Sequence, residues 1–306
     1  METPIAAMAS NLKFAGLPEI DAAAAAPASA TGDPLGPLAA LPGTWSGRGF
    51  NAIWRPHQGA QDHFLELNVT QDTIAFTQIP GTIPNRGLVM PDINLFGVTY
   101  MQQIAEENNG PALHIEPGIW ASVPATSNPN LPATVLRMAS IPHGTTILAQ
   151  GEPQTFAGPP VPPNNNITPF TINDPTSLVP FPETDLSKST QFRHASASVT
   201  QQMVDNPNSV LQGDLHTSGH NMQQRVALRI TTTHTPIPAG GIADMAFLRS
   251  ASNPPGGNAN AVQVDATFWI QTLADNSLQL QYTQRVLLNF NGLSWPHVTV
   301  ATLKKQ

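Results

Sequence analysis

From Trp45 onward, the chain consists of short runs rich in Val, Ile, Thr and Phe, separated by Pro, Gly and Asn. Runs of this composition and length predict β-strands. No segment shows helical periodicity over about twelve residues, so the sequence offers no long helix that could cover an open sheet. About ten antiparallel strands without such a cover favour an all-β barrel or sandwich, because closure removes exposed strand edges. Besides the strand that begins at Trp45, the predicted strands are 63–69, 73–79, 95–104, 113–123, 134–140, 145–150, 224–233, 242–249, 262–273, 277–288 and 296–303.

The first two of these strands are predicted to form a hairpin. Residues 63–69 and 73–79 each alternate apolar with polar side chains, and Asp72-Thr73 lies near the break between them. Because Asp is common in turns, we expect the chain to reverse at Asp72.

Composition restricts the partners of the protein. Charged residues make up only 11% of the chain, the net charge is -7, and no basic run is present, so a nucleic-acid partner is not expected. With no cysteine, any metal must be bound by His or carboxylate. No run of about 18 apolar residues exists to span a membrane. The start, Met1-Glu2-Thr3-Pro4, lacks the pattern of a secretory signal, so we expect a cytoplasmic protein without a membrane partner.

Changes in composition divide the chain into three parts. Residues 1–33 predict a flexible Ala-rich tail, and residues 34–306 predict a single barrel domain interrupted by a Pro-rich insertion at 151–212. Phe170, Phe181 and Phe192 would anchor the insertion, because full exposure of each ring costs about 1.5 to 3 kcal/mol. We therefore expect an ordered strap across the barrel mouth or at a subunit interface of a homo-oligomer.

Three segments of the chain carry recognisable motifs. Residues 33–49 read Asp-Pro-Leu-Gly-Pro-Leu-Ala-Ala-Leu-Pro-Gly-Thr-Trp-Ser-Gly-Arg-Gly, a short apolar turn followed by a strand. Residues 113–120 read Leu-His-Ile-Glu-Pro-Gly-Ile-Trp, which 138–145 continue into a hairpin, and residues 296–305 read Pro-His-Val-Thr-Val-Ala-Thr-Leu-Lys-Lys. Taken together and in order, they resemble the opening turn and first strand, the central strand and the last strand of the nitrobindin family of haem-binding, calycin-type β-barrels. The insertion has no counterpart in this resemblance.

The resemblance implies a cofactor and a set of site residues. His297 would ligate the iron of ferric haem b, Leu113 and Leu287 would contact the porphyrin, and His114 would act as the catalytic residue beside it. The activity implied is nitric oxide binding and isomerisation of peroxynitrite, and an open ferric haem adds weak peroxidase activity.

The residues themselves leave several interpretations open. Strand alternation places His297, Thr299 and Ala301 on one face and Val298 and Val300 on the other. Neither face is polar or apolar enough to show which one is interior. The glycine at 118, on the same face as His114, could admit a flat ligand or mark a bulge. A haem-free barrel enzyme that shapes an apolar small molecule for isomerisation or cyclisation, and a non-catalytic carrier of a hydrophobic ligand, are the alternatives to haem chemistry.

Overall fold

The fold was analysed in a computed structural model that describes residues 32–59, 62–88, 90–142, 144–155, 162, 164–217, 224–233, 240–246 and 259–306. Most of the predicted tail, residues 156–161 and 163 of the insertion, and His143 lie outside these ranges. The strands are β1 (Gly43–Pro56), β2 (His63–Gln78), β3 (Ile83–Asn85), β4 (Ile93–Glu106), β5 (Ala112–Val123), β6 (Thr126–Ser127), β7 (Asn130–Leu131), β8 (Thr134–Ile141), β9 (Thr145–Gly151), β10 (Pro153–Thr155), β11 (Phe170–Thr171), β12 (Arg193–Ala195), β13 (Gln224–Thr231), β14 (Gly240–Asp244), β15 (Asn260–Thr272), β16 (Leu278–Phe290) and β17 (Leu293–Lys305). Two short α-helices are α1 (Gln201–Asp205) and α2 (Ser209–Thr217), and 3-10 turns lie at Gly36–Leu38 and Pro182–Thr184.

Ten antiparallel strands close into a barrel, which confirms the all-β fold and the strand number expected from the sequence. Around the barrel the order is β13, β15, β16, β17, β1, β2, β4, β5, β8 and β9. The ring closes where Gln150 of β9 pairs with Thr231 of β13, and β10 continues this pairing in the same register, with Pro153 opposite Leu228. Closure leaves no unpaired edge in the ring itself.

The predicted hairpin at Asp72 is wrong, because β2 runs without a break from His63 to Gln78. The neighbours of Asp72 include no glycine or asparagine of the kind that tight hairpin turns require. Instead, Asp72 pairs with Gly47 of β1 and Ile104 of β4, and its side chain is fully buried inside the barrel. The other predicted strands are present, most with ends shifted by only a few residues, and positions 247–249 of the predicted strand 242–249 lie outside the described ranges.

One end of the barrel is closed by a plug formed by the turn that precedes β1. Leu35, Leu38 and Leu41 are buried there against Trp45, whose indole Nε1 donates a 2.8 Å hydrogen bond to the Leu41 carbonyl. Lys305 at the end of β17 secures the turn through a 2.8 Å bond from Nζ to the Ala40 carbonyl. Apolar side chains of the barrel strands continue this core inward.

The described part of the insertion lies on the outer wall of the barrel. A second apolar cluster there joins β1, β2 and β17 to the insertion, with Phe181 against Trp54 and Trp295. Trp54 Nε1 donates a 2.8 Å bond to the Ile167 carbonyl, while β11 pairs with β17 and β12 runs parallel to β2. The described part of the insertion therefore packs on a side wall of the barrel, and a strap across the barrel mouth or at a subunit interface stays a prediction.

Within the ranges given above, the structure contains no helix of the length and hydropathy needed to cross a bilayer.

Candidate functional site

The centre of the barrel contains a buried ion pair whose hydrogen bonds join four strands. Arg137 of β8 donates from Nη2 to Glu116 Oε1 of β5 at 2.5 Å and from Nε to the Tyr100 hydroxyl of β4 at 2.8 Å. Its Nη1 donates a 2.6 Å bond to Gln284 Oε1 of β16. The Tyr100 hydroxyl in turn donates to Glu116. Arg137 and Glu116 are 1% and 0% exposed, so the pair satisfies two charges that would otherwise be very costly inside a protein.

The ion pair fixes the protonation of its members. Burial alone would raise the pKa of Glu116, but the Arg137 guanidinium and hydrogen bonds from His114 and Tyr100 lower it to about 2. Burial raises the pKa of the Tyr100 hydroxyl well above its usual value of 10. At neutral pH Glu116 is therefore an acceptor and Tyr100 a donor.

A second buried carboxyl group, that of Asp72 on β2, lies close by; it forms no salt bridge with a described residue, but the charge of His114 acts on it and lowers its pKa. The Tyr282 hydroxyl of β16 donates to Asp72 Oδ2, and Gln102 Nε2 donates a 2.9 Å bond to that hydroxyl. Tyr282 reaches Asp72 across β17 and β1, where the register places only Ala301 and Gly49 between Tyr282 and β2. Burial raises the pKa of Asp72 to about 6, against the opposing effect of the Tyr282 hydrogen bond.

His297 faces the barrel interior, which settles the orientation that the sequence left open. Its strand partner Val286 packs against the interior core, and Ala301 and Leu303, which alternate with His297 along β17, belong to that core. Since β17 ends at the plug, His297 lies toward the opposite end. The Asn51 amide Nδ2 lies 3.1 Å from His297 Nε2 and donates a 2.7 Å bond to Thr299 Oγ1. With this amide as donor, Nε2 is the acceptor of the contact.

Two neighbouring strands carry buried polar atoms without a hydrogen-bond partner in the described structure. These are Asn51 Oδ1 on β1 and Asn68 Nδ2, Thr70 Oγ1 and Asp72 Oδ1 on β2, and we call the surface that they form the β1–β2 wall. The Thr70 hydroxyl and Asp72 are an exception, because they lie close enough to bond each other: a hydrogen bond from Thr70 lowers the pKa of Asp72, although its geometry is outside the limits of a normal hydrogen bond. Each such atom costs about 1 to 3 kcal/mol.

His114 also faces the interior, at the same end of the barrel as His297. Its Nε2 lies 3.2 Å from Glu116 Oε2, and its side chain is 17% exposed. β5 is four strands from β17 around the barrel. Gly118 does not leave a slot for a flat ligand, because a Cβ there would lie 2.5 Å from the Tyr100 ring, which occupies the space. The bulge lies between Ala112 and His114 instead.

The two predicted leucine contacts lie elsewhere on the barrel. Leu287 is buried, but it follows Val286 directly and therefore faces away from His297, since successive side chains of a strand point to opposite faces. Leu113 is half-buried at the bulge. The structure thus brings neither leucine to the face of His297.

Haem requires one neutral imidazole on a rigid element and apolar side chains around the porphyrin. His297 fits the first requirement, because its Nε2 is unprotonated and its strand is paired on both sides. For the second, Val286, Val264 and Ile230 face the interior from β16, β15 and β13, while the β1–β2 wall is polar. A group of three His, Asp or Glu side chains able to hold a bare metal ion is not found among the described residues.

Sequence reasoning did not find Arg137, Tyr282, Asp72 or Asn51. Asp72 was assigned to a turn, and the others were ordinary members of predicted strands. The available signal was a charged residue, Arg137, in the middle of an apolar strand, because such a side chain is buried only with a partner.

No protein-family model matches the chain, and no curated protein matches it. Among solved structures it is similar to one titled "Crystal Structure of Rv2717c from M. tuberculosis", with a TM-score of 0.40 and 15% identity over 92% of this chain and 98% of that chain. At this TM-score the similarity carries no argument about function. The strand pairing of the chain itself establishes a closed barrel, a fold compatible with ligand binding.

Proposed function

We propose that this protein binds haem b at the barrel end opposite the plug, with His297 as the axial ligand. The observation that supports the proposal is the placement of His297, which faces inward, is half-buried and directs an unprotonated Nε2 into the interior. Ferric haem held by one imidazole would supply an open iron site that reacts with nitric oxide, peroxynitrite or peroxide.

In this proposal the side chains around His297 orient it and supply a proton. In the haem-bound protein His297 Nε2 would exchange its contact with the Asn51 amide for the iron, and Thr299, which already accepts from that amide, would keep Asn51 beside the ring. Glu116 orients the ring of His114, the predicted catalytic residue, through Nε2. Asp72, whose pKa of about 6 lies close to neutrality, is the group best suited to take up or release a proton at its Oδ1.

The experiment is a titration of the full chain with hemin, followed by absorbance. We expect a Soret band for the wild type and its loss in His297→Ala, with unchanged far-UV circular dichroism. His194→Ala is the matched control, because His194 lies on the surface, 50% exposed beside Glu106, and should keep the band. An unchanged band in His297→Ala would eliminate this residue as the ligand. Absence of any band in the wild type would leave the haem-free enzyme and the carrier as the remaining functions.

A further inference from the structure

One wall of the barrel presents no charged side chain to its outer surface. We call it the neutral wall, and it consists of residues 97–105 of β4, 115–123 of β5, 134–140 of β8 and 145–151 of β9. The charged side chains in these ranges are Glu116 and Arg137, and both are buried inside the barrel. Charged side chains normally lie on the surface, so this wall has the reverse of the usual arrangement.

The register brings the outward side chains of the neutral wall together. Thr99, Ile119, Met138 and Leu148 are successive partners on the four strands. Their neighbours along each strand belong to the interior core, so these four side chains point outward. Ile115, Met138 and Leu148 are 39%, 38% and 43% exposed. The apolar side chains therefore form a contiguous patch, which on a protein surface marks an interaction site.

A cover for this patch must make contact through side chains. Each of the four strands is paired on both sides, so none offers a free edge to which another strand could add. The barrel covers a different apolar outer face, that of β1, β2 and β17, with its own insertion. On the neutral wall the corresponding apolar side chains remain exposed.

A second copy of this chain is the occupant that fits the neutral wall. The chain carries a net charge of -7, which opposes the approach of two copies, but contact between two neutral walls brings no like charges together. A two-fold axis sets the wall against the same wall of its partner, and an uncharged apolar surface is complementary to itself. A strongly charged partner would find no opposite charge there. We propose that this protein forms a dimer through its neutral wall. The proposal concerns the outer surface and is independent of the haem site.

The size of the wall indicates a weak, reversible dimer. With a rise of about 3.3 Å per residue and about 4.8 Å between strands, the wall offers about 500 Å² from each copy, or about 1,000 Å² in total. Specific interfaces begin at about this size, and those at the low end of the range are transient. We therefore expect a Kd in the micromolar range.

Sedimentation velocity of the full chain without added hemin, from micromolar to millimolar concentration, tests the proposal. The wild type should shift from the sedimentation coefficient of a monomer towards that of a dimer. Met138→Glu and Leu148→Glu each place the same charge on both copies within the contact and should weaken association at least tenfold. Leu178→Glu is the matched control, because Leu178 is 52% exposed on the insertion, and it should leave the Kd unchanged.

Three results would overturn the proposal. They are a wild type that stays monomeric at every concentration, folded neutral-wall variants that dimerise like the wild type, and an equal loss of association in Leu178→Glu, which would place the contact on another face.

Oxidation of methionine by excess hydrogen peroxide tests the same contact without a variant and decides if a neutral-wall variant does not fold. Met138 should be oxidised severalfold more slowly at high than at low protein concentration. Met245, 50% exposed and outside the neutral wall, should be oxidised at the same rate at both. Equal rates for Met138 at the two concentrations would contradict a dimer formed by this wall.

Discussion

Replacement of Asp72 by Asn is expected to stabilise this protein at neutral and alkaline pH. Burial raises the pKa of Asp72 from the ordinary 3.8 to about 6, so the folded state holds this proton more tightly than the unfolded state. Stability from this group is full below about pH 4 and is lost as the pH rises through 6. Above that pH the folded protein carries a buried charge whose nearest hydrogen-bond donor is Tyr282.

The size of the effect follows from the two pKa values. The difference between 3.8 and about 6, at about 1.4 kcal/mol for each pH unit, corresponds to about 3 kcal/mol. Asn has the shape of the protonated acid and no charge, and its Oδ1 can still accept the Tyr282 hydroxyl. The variant should therefore gain up to about 3 kcal/mol at pH 8 and almost nothing at pH 4.

Urea unfolding of wild type and Asp72→Asn at pH 4, 6 and 8 measures this gain directly, with the slope of the transition as a check on two-state behaviour. Asp92→Asn is the control. The hydrogen bond to Arg86 lowers the pKa of Asp92, so this substitution should not raise the free energy of unfolding at pH 8. A gain in the free energy of unfolding of equal size at all three pH values, or a loss at pH 8, would refute the conclusion that burial raises the pKa of Asp72.

Three further outcomes are expected. Glu116→Gln should lower the free energy of unfolding by about 3 to 5 kcal/mol, because it leaves the Arg137 charge buried without its partner. Adding Arg137→Met should restore part of this loss, measured in the same urea assay. Trp45→Ala should cost about 3 to 5 kcal/mol, since it empties the plug, and wild-type melting with lost activity would contradict this structural role. Limited proteolysis of the native protein should cut slowly between 164 and 191, because this segment is anchored by Trp54 and β17, and rapid cleavage there would show that the anchoring is weak.

The strands and the barrel could be predicted because their signals are local. Alternating apolar residues and the Gly-Thr-Trp start of β1 are visible within a few positions of the sequence. The site depends on pairing between distant strands, which no local pattern contains. Tyr282 meets Asp72 although 210 positions separate them, and Arg137 meets Gln284 across 147. The buried Arg137 and Asp72 therefore look like surface or turn residues until the register brings their partners to them.

The sequence left the orientation of His297 ambiguous for a physical reason. The same reason explains why the insertion packs against the outside of the barrel. β1, β2 and β17 are buried on both faces, with the interior core on one side and the insertion on the other. Because β17 has no solvent face, it shows no alternation of apolar and polar side chains in Thr299-Val300-Ala301, whereas β2 keeps its alternation because several of its inward side chains are polar. The lack of a distinctly polar face on β17 was thus the sequence signal that another segment of the chain covers the outside of the barrel. The apolar outer faces of β1 and β2, with Phe50, Trp54 and Leu67 fully buried, require that cover. The described part of the insertion therefore contributes to the stability of this barrel wall.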